Sequence, residues 1–326
     1  MKLTHKNYII YILKFFLFPI KKLILKILKK KNCIILFRAS NSLGDNIILT
    51  GIIRQLNNVI KKDIILFTNF PEIFENNNKI LKIFNLKKNF FLTIFLKLLE
   101  GDEIYEMNQK FEGYNDALDF FRVESKEKKK PFEKKHLAHF IAGRFSKVLN
   151  FSDFKNEIFL SKNEINEFKN KFKNLDENKY AIINPHSKSK FTPNKGWGIE
   201  NFQKLVDISD YTWCQVGEKN DKKLKNVKYY LDISLRELFY LISKSSFILA
   251  NEGYLNHIAS SFNKKTYILK PGIIPNEYFK YNHTISIERD PPIACSPCYL
   301  KTPCYKEKRF CMTDIAPERV KNILDN

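Results

Sequence analysis

Acidic residues are scarce in this 326-residue chain: 35 against 56 lysines and arginines, a formal net charge of +21. That imbalance argues against a basic partner and for an anionic one, whether nucleic acid, a membrane surface or a phosphorylated substrate. Glycine-rich nucleotide loops are missing too. No Gly-Lys-Ser/Thr occurs, which excludes a Walker loop, and no Gly-x-Gly-x-x-Gly, which excludes the dinucleotide fingerprint. No run of about 20 apolar residues is uninterrupted, so a simple membrane span is excluded. Internal repeats and proline-rich or collagen-like tracts are absent, which excludes solenoids and fibrous folds. What remains is a globular composition, 44% hydrophobic and 14% aromatic, long enough for two domains with separate cores.

Residues 1–31 stand apart, with nine lysines and no acidic residue. Lys14, Pro19 and the Lys21–Lys22 pair break the apolar stretch that begins at Tyr8, and no small-residue cleavage site follows it, against a signal peptide. Lys21, Lys22, Lys26, Lys29, Lys30 and Lys31 alternate with Leu23, Ile24, Leu25, Ile27 and Leu28 at helical spacing. This is the pattern of an interfacial helix on anionic lipid. The alternative is a helix packed on the protein's own core. The preferred expectation is a cytoplasmic protein held peripherally on the inner face of the cytoplasmic membrane.

After this arm the chain alternates strands and helices. Cys33–Phe37 is an apolar run suited to a buried parallel strand, Ile47–Leu56 a helix and Ile64–Thr68 the next strand, together a right-handed βαβ unit. A further short strand is expected at Glu103–Tyr105, and the charged stretch Lys126–Lys135 as exposed surface. A polar helix near 162–174 leads to a second alternation. Its expected strands are Tyr180–Ile183, Thr212–Val216, Phe247–Ala250 and Thr266–Leu269; its helices are Ile199–Ile208, Leu235–Ser243 and Leu255–Ser261. The expected fold is α/β, two Rossmann-like domains with parallel sheets facing a central cleft. The divisions are a basic arm at 1–31, a first domain at 32–165 and a second at 166–326.

Chemistry-bearing residues gather at strand ends. The first strand runs into Ser40, Asn41, Ser42 and Gly44, small residues that let the backbone approach a ligand, then Asp45, which by itself reads as a helix N-cap. The strand ending at Ile183 runs into Asn184-Pro-His-Ser187, then Lys188, Lys190, Lys195 and Trp197. There, loop amides, a helix N-terminus and positive charge suit a phosphate. The third cluster is Asn251-Glu252-Gly253, with His257 one turn into the next helix. Taken alone, each fits a structural role: a solvated loop, a cap, a buried histidine.

Together these pieces resemble glycosyltransferase family 9, the lipopolysaccharide heptosyltransferases. The resemblance rests on Ser42-Leu-Gly-Asp45, on Asn184-Pro-His-Ser187 with Lys195 and Trp197, and on Asn251–His257 with Ala259. It closes with Cys295-Ser-Pro-Cys298, Cys304, Cys311-Met312 and Ile315–Val320. It implies a GT-B architecture, with the acceptor mainly on the first domain and the sugar nucleotide mainly on the second. The implied reaction is inverting sugar transfer without a required metal or cofactor. Asp45 would be the general base, with Ser42 and Gly44 in the loop near the acceptor. Lys195, aided by Ser187, would meet the departing diphosphate. Glu218, at the end of the strand 212–216, would accept hydrogen bonds from the ribose, and Asn251, Glu252, Gly253 and His257 would form the donor loop. The implied donor is ADP-heptose and the acceptor a lipid-linked glycan such as lipopolysaccharide core. Two departures stand out. The family's donor loop carries Asp-Thr-Gly where this chain has Asn251-Glu252-Gly253, and a proline common early in the first helix is replaced around Thr50–Gly51. Both leave room for a different nucleotide sugar or a different surface glycan.

Cys295-x2-Cys298-x5-Cys304-x6-Cys311 has spacing compatible with a four-thiolate structural zinc site; free thiols or a redox-labile pair fit the same spacing. Cys33 and Cys214 fall in strands and read as small core residues. Two other classes are weighed. A nucleic-acid binder would need aromatic and basic residues interleaved on a binding element, whereas the Phe and Tyr here follow apolar periodicities, so no nucleic-acid partner is expected. A non-catalytic membrane scaffold would have no need of Asp45 and Lys195 together.

Overall fold

The computed structural model describes residues 5–87, 89–108, 135–187, 192–300, 302–306 and 308–326, with α1 described only as backbone over residues 5–12. Lys188, Lys190 and the charged stretch from Lys126, except Lys135, lie outside the described residues.

The first sheet contains β1 (Cys33–Arg38), β2 (Asp63–Thr68), β3 (Ile80–Asn85) and β4 (Ile104–Glu106), in the order β3-β2-β1-β4 with every pairing parallel. β1 is buried along its whole length, which explains its continuous apolar sequence. α2 (Leu43–Ile60) carries the crossover from β1 to β2 and buries Ile47, Ile48, Leu49, Ile52, Ile53 and Leu56. α1 (His5–Lys30) and α3 (Phe90–Leu99) pack against each other. α1 is built into the domain: Leu28 is buried, and Leu17 and Ile24 pack on the cluster of Cys33, Ile35, Phe37, Leu96 and Leu99. Lys21 fastens it further, its Nζ donating to the Glu100 carbonyl at 3.2 Å and lying 3.7 Å from Asp102. The inner stripe of α1 is therefore core. Among the described residues, no helix is long and apolar enough to cross a membrane.

α4 (Leu137–Ala142) packs on α2, and α5 (Lys162–Lys171) starts at a capping box formed by Ser161 and Glu164. The second sheet follows: β5 (Ala181–Asn184), β6 (Trp213–Gly217), β7 (Lys228–Leu231), β8 (Phe247–Asn251), β9 (Thr266–Leu269) and β10 (Thr284–Ile287). The order β10-β9-β8-β5-β6-β7 is again all parallel. Its helices are α6 (Ile199–Asp207), α7 (Leu235–Lys244), α8 (Tyr254–Ser261), α9 (Phe310–Thr313) and α10 (Pro317–Asp325). The architecture is α/β of GT-B type, two Rossmann-like units.

Two features of this topology position a site. Strand order reverses between β1 and β4 in the first sheet and between β5 and β8 in the second. Open parallel sheets bind ligands outside the carboxyl ends of strands at such reversals. In addition, α2 of the first unit packs against α8 of the second, so the loops after β1 and β8 meet at the seam. Arg236 on α7 ties the units together, donating to the carboxylate of Glu164 and to the carbonyls of Glu72 and Phe159.

Candidate active site

At the first reversal, Arg38 closes β1 and is fully buried. Its guanidinium donates to Asp45 Oδ2 at 2.6 Å and to the carbonyl of Met107, just past β4. Asp45 is not the N-cap: Ser42 holds that position, without a side-chain cap bond, and Asp45 lies in the first turn of α2. Its carboxylate faces back towards Arg38, which fixes its orientation. Burial lowers the pKa of Arg38, against the raising effect of Asp45.

At the second reversal, the loops after β5 and β8 are laced by Asn251. Its Oδ1 accepts from the Trp197 amide at 3.0 Å and its Nδ2 donates to the Pro185 carbonyl at 2.9 Å. The indole of Trp197 donates in turn to the Ile315 carbonyl at 2.8 Å. Asn251 thus positions the loops after β5 and β8 relative to each other. Thr192 caps one turn of 3-10 helix, Pro193–Lys195, which presents Lys195. Lys195 pairs with Glu252, their side chains 15% and 7% exposed. Ser187 lies beside this turn, its Oγ 3.5 Å from where a Cβ on Gly196 would be. Glu218 is exposed at the end of β6, where its amide donates to Asp221 at 2.8 Å.

The seam brings the clusters together. A Cβ on Gly44 would lie 2.8 Å from His257 Cδ2, so only glycine permits α2 to approach α8 this closely. His257 is buried, its Nδ1 2.8 Å from the Tyr281 hydroxyl, and burial followed by the nearby charge of Lys195 pushes its pKa down to about 3. Tyr278 is also buried; burial, then the charges of Asp45 and Glu252, hold its pKa well up. Asp45, Gly44, His257, Lys195, Glu252 and Tyr278 therefore share one neighbourhood, drawn from both units. Asn156, on the stretch joining the units, donates to the His257 carbonyl at 2.9 Å and to Tyr281 at 3.0 Å, locking α8 in place.

Ser42 sits at the mouth of the first loop, half-buried, and Gly253 continues from β8 into α8 with an extended backbone. The sequence expectations passed over three residues. Arg38 carried a signal, a lone charge closing an apolar strand. Tyr278 and Tyr281 carried none, since they enter from a loop distant in sequence.

The cysteine-rich segment covers the Lys195 turn. Asn194 donates to the Thr302 carbonyl at 2.7 Å, Cys304 donates to Asn194 at 3.1 Å, and Arg309 donates to the Pro193 carbonyl at 2.6 Å. Between turn and segment lies a cavity of about 400 Å³ whose lining includes Lys306, Lys308 and Arg309. Cys295, Cys298, Cys304 and Cys311 are free thiols. Burial raises Cys298 and Cys311, and in both the neighbouring Cys295 and Cys304 add to the effect. Among the described residues, no group of three or more His, Cys, Asp or Glu is arranged to hold a metal ion.

Among solved structures, the chain is similar to the E. coli ADP-heptose lipopolysaccharide heptosyltransferase II, with TM-score 0.63 and 15% identity over 89% of this chain and 97% of that one. A glycosyl transferase family 9 protein from Veillonella parvula gives TM-score 0.62 and 14% identity, over 90% and 96% of the two chains. The iron-containing dodecameric glycosyltransferase TibC of enterotoxigenic E. coli gives 0.63 and 12%, over 90% and 76%. At such identities the similarity establishes the fold. No protein-family model and no curated protein matches the sequence.

Proposed function

We propose that the protein is an inverting glycosyltransferase that moves a sugar from a nucleoside diphosphate onto a surface-glycan acceptor. The observation that carries this is the close seam at Gly44 and His257, which joins a carboxylate on one unit to a lysine-bearing loop on the other. Asp45, oriented by Arg38, takes the proton of the acceptor hydroxyl as that oxygen attacks the anomeric carbon. The sugar–phosphate bond breaks, and the diphosphate leaves with its new charge met by Lys195 and by amides of the loop after β5. Ser187, within that loop, aids Lys195, and the exposed carboxylate of Glu218 accepts hydrogen bonds from the ribose hydroxyls.

The proposed donor is ADP-heptose. Two of the similar structures were solved with related ligands, TibC with ADP-D-β-D-heptose and E. coli WaaC with ADP. The proposed acceptor is a lipid-linked glycan such as lipopolysaccharide core, which the lysine-rich α1 approaches at the cytoplasmic membrane surface. The displaced carboxylate of Glu252 favours a second reading within the same chemistry, another nucleotide sugar built into a capsule or related glycan. A structural zinc on the four cysteines is a separate proposal, resting on their shared neighbourhood although they form no cage; one zinc per purified chain supports it and none refutes it.

Incubating the protein with labelled ADP-heptose and a glycolipid extract tests the main reading. Label transferred to glycolipid, and lost in Asp45→Ala with ADP binding retained, is the expected result. Transfer that survives Asp45→Ala removes the general-base assignment.

A further inference from the structure

Ten of the sixteen large hydrophobic side chains exposed among the described residues lie on two helices, seven on α1 and three on α3. The other six are scattered, as on any soluble surface. On α1, Phe16, Ile20, Leu23 and Ile27 recur at steps of four, three and four, a single stripe beside the inner stripe of Leu17, Ile24 and Leu28 that enters the core. On α3, Phe90 and Phe91 are 71% and 84% exposed, with Ile94 one turn on. Leu92, Phe95, Leu96 and Leu99 of the same helix turn inward and pack against α1 and β1. The two helices are thus locked side by side through their inner faces, each leaving aromatic and aliphatic groups in water. Exposed apolar groups concentrated in this way on two packed helices mark an interaction surface.

Charge identifies the occupant. From residue 13 to 30, α1 carries lysines at 14, 21, 22, 26, 29 and 30 and no acidic residue. Lys21 is spent on Glu100 and Asp102, while the other five are exposed. Two copies of this chain docked through the same face would bring like charges together. Anionic lipid instead satisfies the lysines at the headgroups and the apolar stripe among the acyl chains. Pro19 and the lysines preclude a span, which leaves the helix lying in the interface.

We propose that α1 and α3 together form a rigid, two-helix docking surface for an anionic bilayer, with Phe90 and Phe91 as a second insertion point beside α1. This deepens the membrane attachment proposed above and holds whether or not the transferase reading does. Because α1 is part of the core, the whole first unit is fixed in orientation on the membrane rather than tethered by a loose arm.

The test uses the full chain and vesicles of phosphatidylcholine with or without about a third phosphatidylglycerol. Flotation with the anionic vesicles only, weakened by salt, is expected. Phe90→Ser/Phe91→Ser, at exposed positions, lowers partitioning at least about tenfold while leaving nucleotide binding unchanged. Phe91→Trp is the second variant: its emission shifts to the blue on anionic vesicles, against a constant background from the buried Trp197 and Trp213. Flotation unaffected by the double substitution and an unshifted Phe91→Trp spectrum would overturn the role of α3. Self-association through this face with no vesicle binding would overturn the bilayer as occupant.

Discussion

Lys195 and Glu252 form a pair whose carboxylate is only 7% exposed, and this separates two roles that a single substitution would confuse. In Lys195→Met the carboxylate of Glu252 is left buried without that partner. Removing one member of a buried pair costs about 3–5 kcal/mol, whereas replacing both members is often near neutral. Thermal unfolding of Lys195→Met should therefore fall by on the order of 10 °C, and adding Glu252→Gln should restore most of that loss. Nucleotide binding should behave differently. Two charges about 4 Å apart attract by about 4 kcal/mol at an effective dielectric near 20. Under the proposed function, an incoming diphosphate must give Lys195 a better partner than Glu252. With that competitor neutralised, Glu252→Gln should bind ADP about tenfold more tightly, or ~1.4 kcal/mol. The double variant should be stable yet bind ADP as poorly as Lys195→Met does. Scanning calorimetry and titration calorimetry on the three variants read the two effects independently. A double variant that binds ADP like the native protein refutes Lys195 as the phosphate group, and an unchanged midpoint for Lys195→Met refutes the buried-pair argument.

Further outcomes are expected elsewhere. Asp45→Asn keeps the shape of the seam and should lower kcat at least about a hundredfold, the usual scale of general-base catalysis, with little change in ADP affinity; kinetics and titration of the same sample decide. Gly51→Ala gains about 1 kcal/mol of helix propensity but sets a Cβ 2.5 Å from the Lys155 carbonyl and 2.7 Å from the Phe154 ring. Overpacking of that kind costs about 1–3 kcal/mol, so denaturant unfolding should show no gain or a net loss, and clear stabilisation would contradict the packing. Burial holds the pKa values of His136, His257 and His283 down at about 3, 3 and 4. The unfolded chain therefore takes up protons first, and stability falls as pH drops below about 6.5, by up to about 1.4 kcal/mol per pH unit for each histidine. Glu164, lowered to about 2 chiefly by its bond to Arg236, adds stability that is complete above about pH 4.5 and disappears as pH falls towards 2. Urea unfolding between pH 7 and 4 checks the histidine contribution, and a flat profile would refute it.

The strands legible in the sequence are mostly apolar runs, buried throughout as in β1 or at alternate residues as in β2. β1, β5, β8 and β9 are runs of apolar residues because helices cover them, and their positions agree with expectation to within a residue. β3, β7 and β10 escaped notice, and all three lie at sheet edges. β3 has mixed burial and β7 is largely exposed, so neither carries an unbroken apolar run. The candidate site was legible where its residues follow a buried strand, at Asp45, Lys195 and the Asn251–His257 loop. It was illegible where partners come from other elements, as Glu252 does to Lys195 and Tyr281 to His257; Arg38 stands only seven residues before Asp45, but their pairing needs the first turn of α2 to face back on the end of β1. The amphipathic pattern of α1 was legible, but one sequence cannot tell which stripe is core; the structure shows Leu17, Ile24 and Leu28 inward and Phe16, Ile20, Leu23 and Ile27 outward.

Titration of the purified protein with ADP, UDP, GDP and a short oligonucleotide bears most directly on the nucleotide-sugar site proposed at the seam, because it requires no knowledge of the acceptor. Binding of one nucleoside diphosphate, with ADP preferred and the affinity lost in the Lys195→Met/Glu252→Gln variant, is the expected result. Binding of the oligonucleotide alone, with no diphosphate bound, would contradict it.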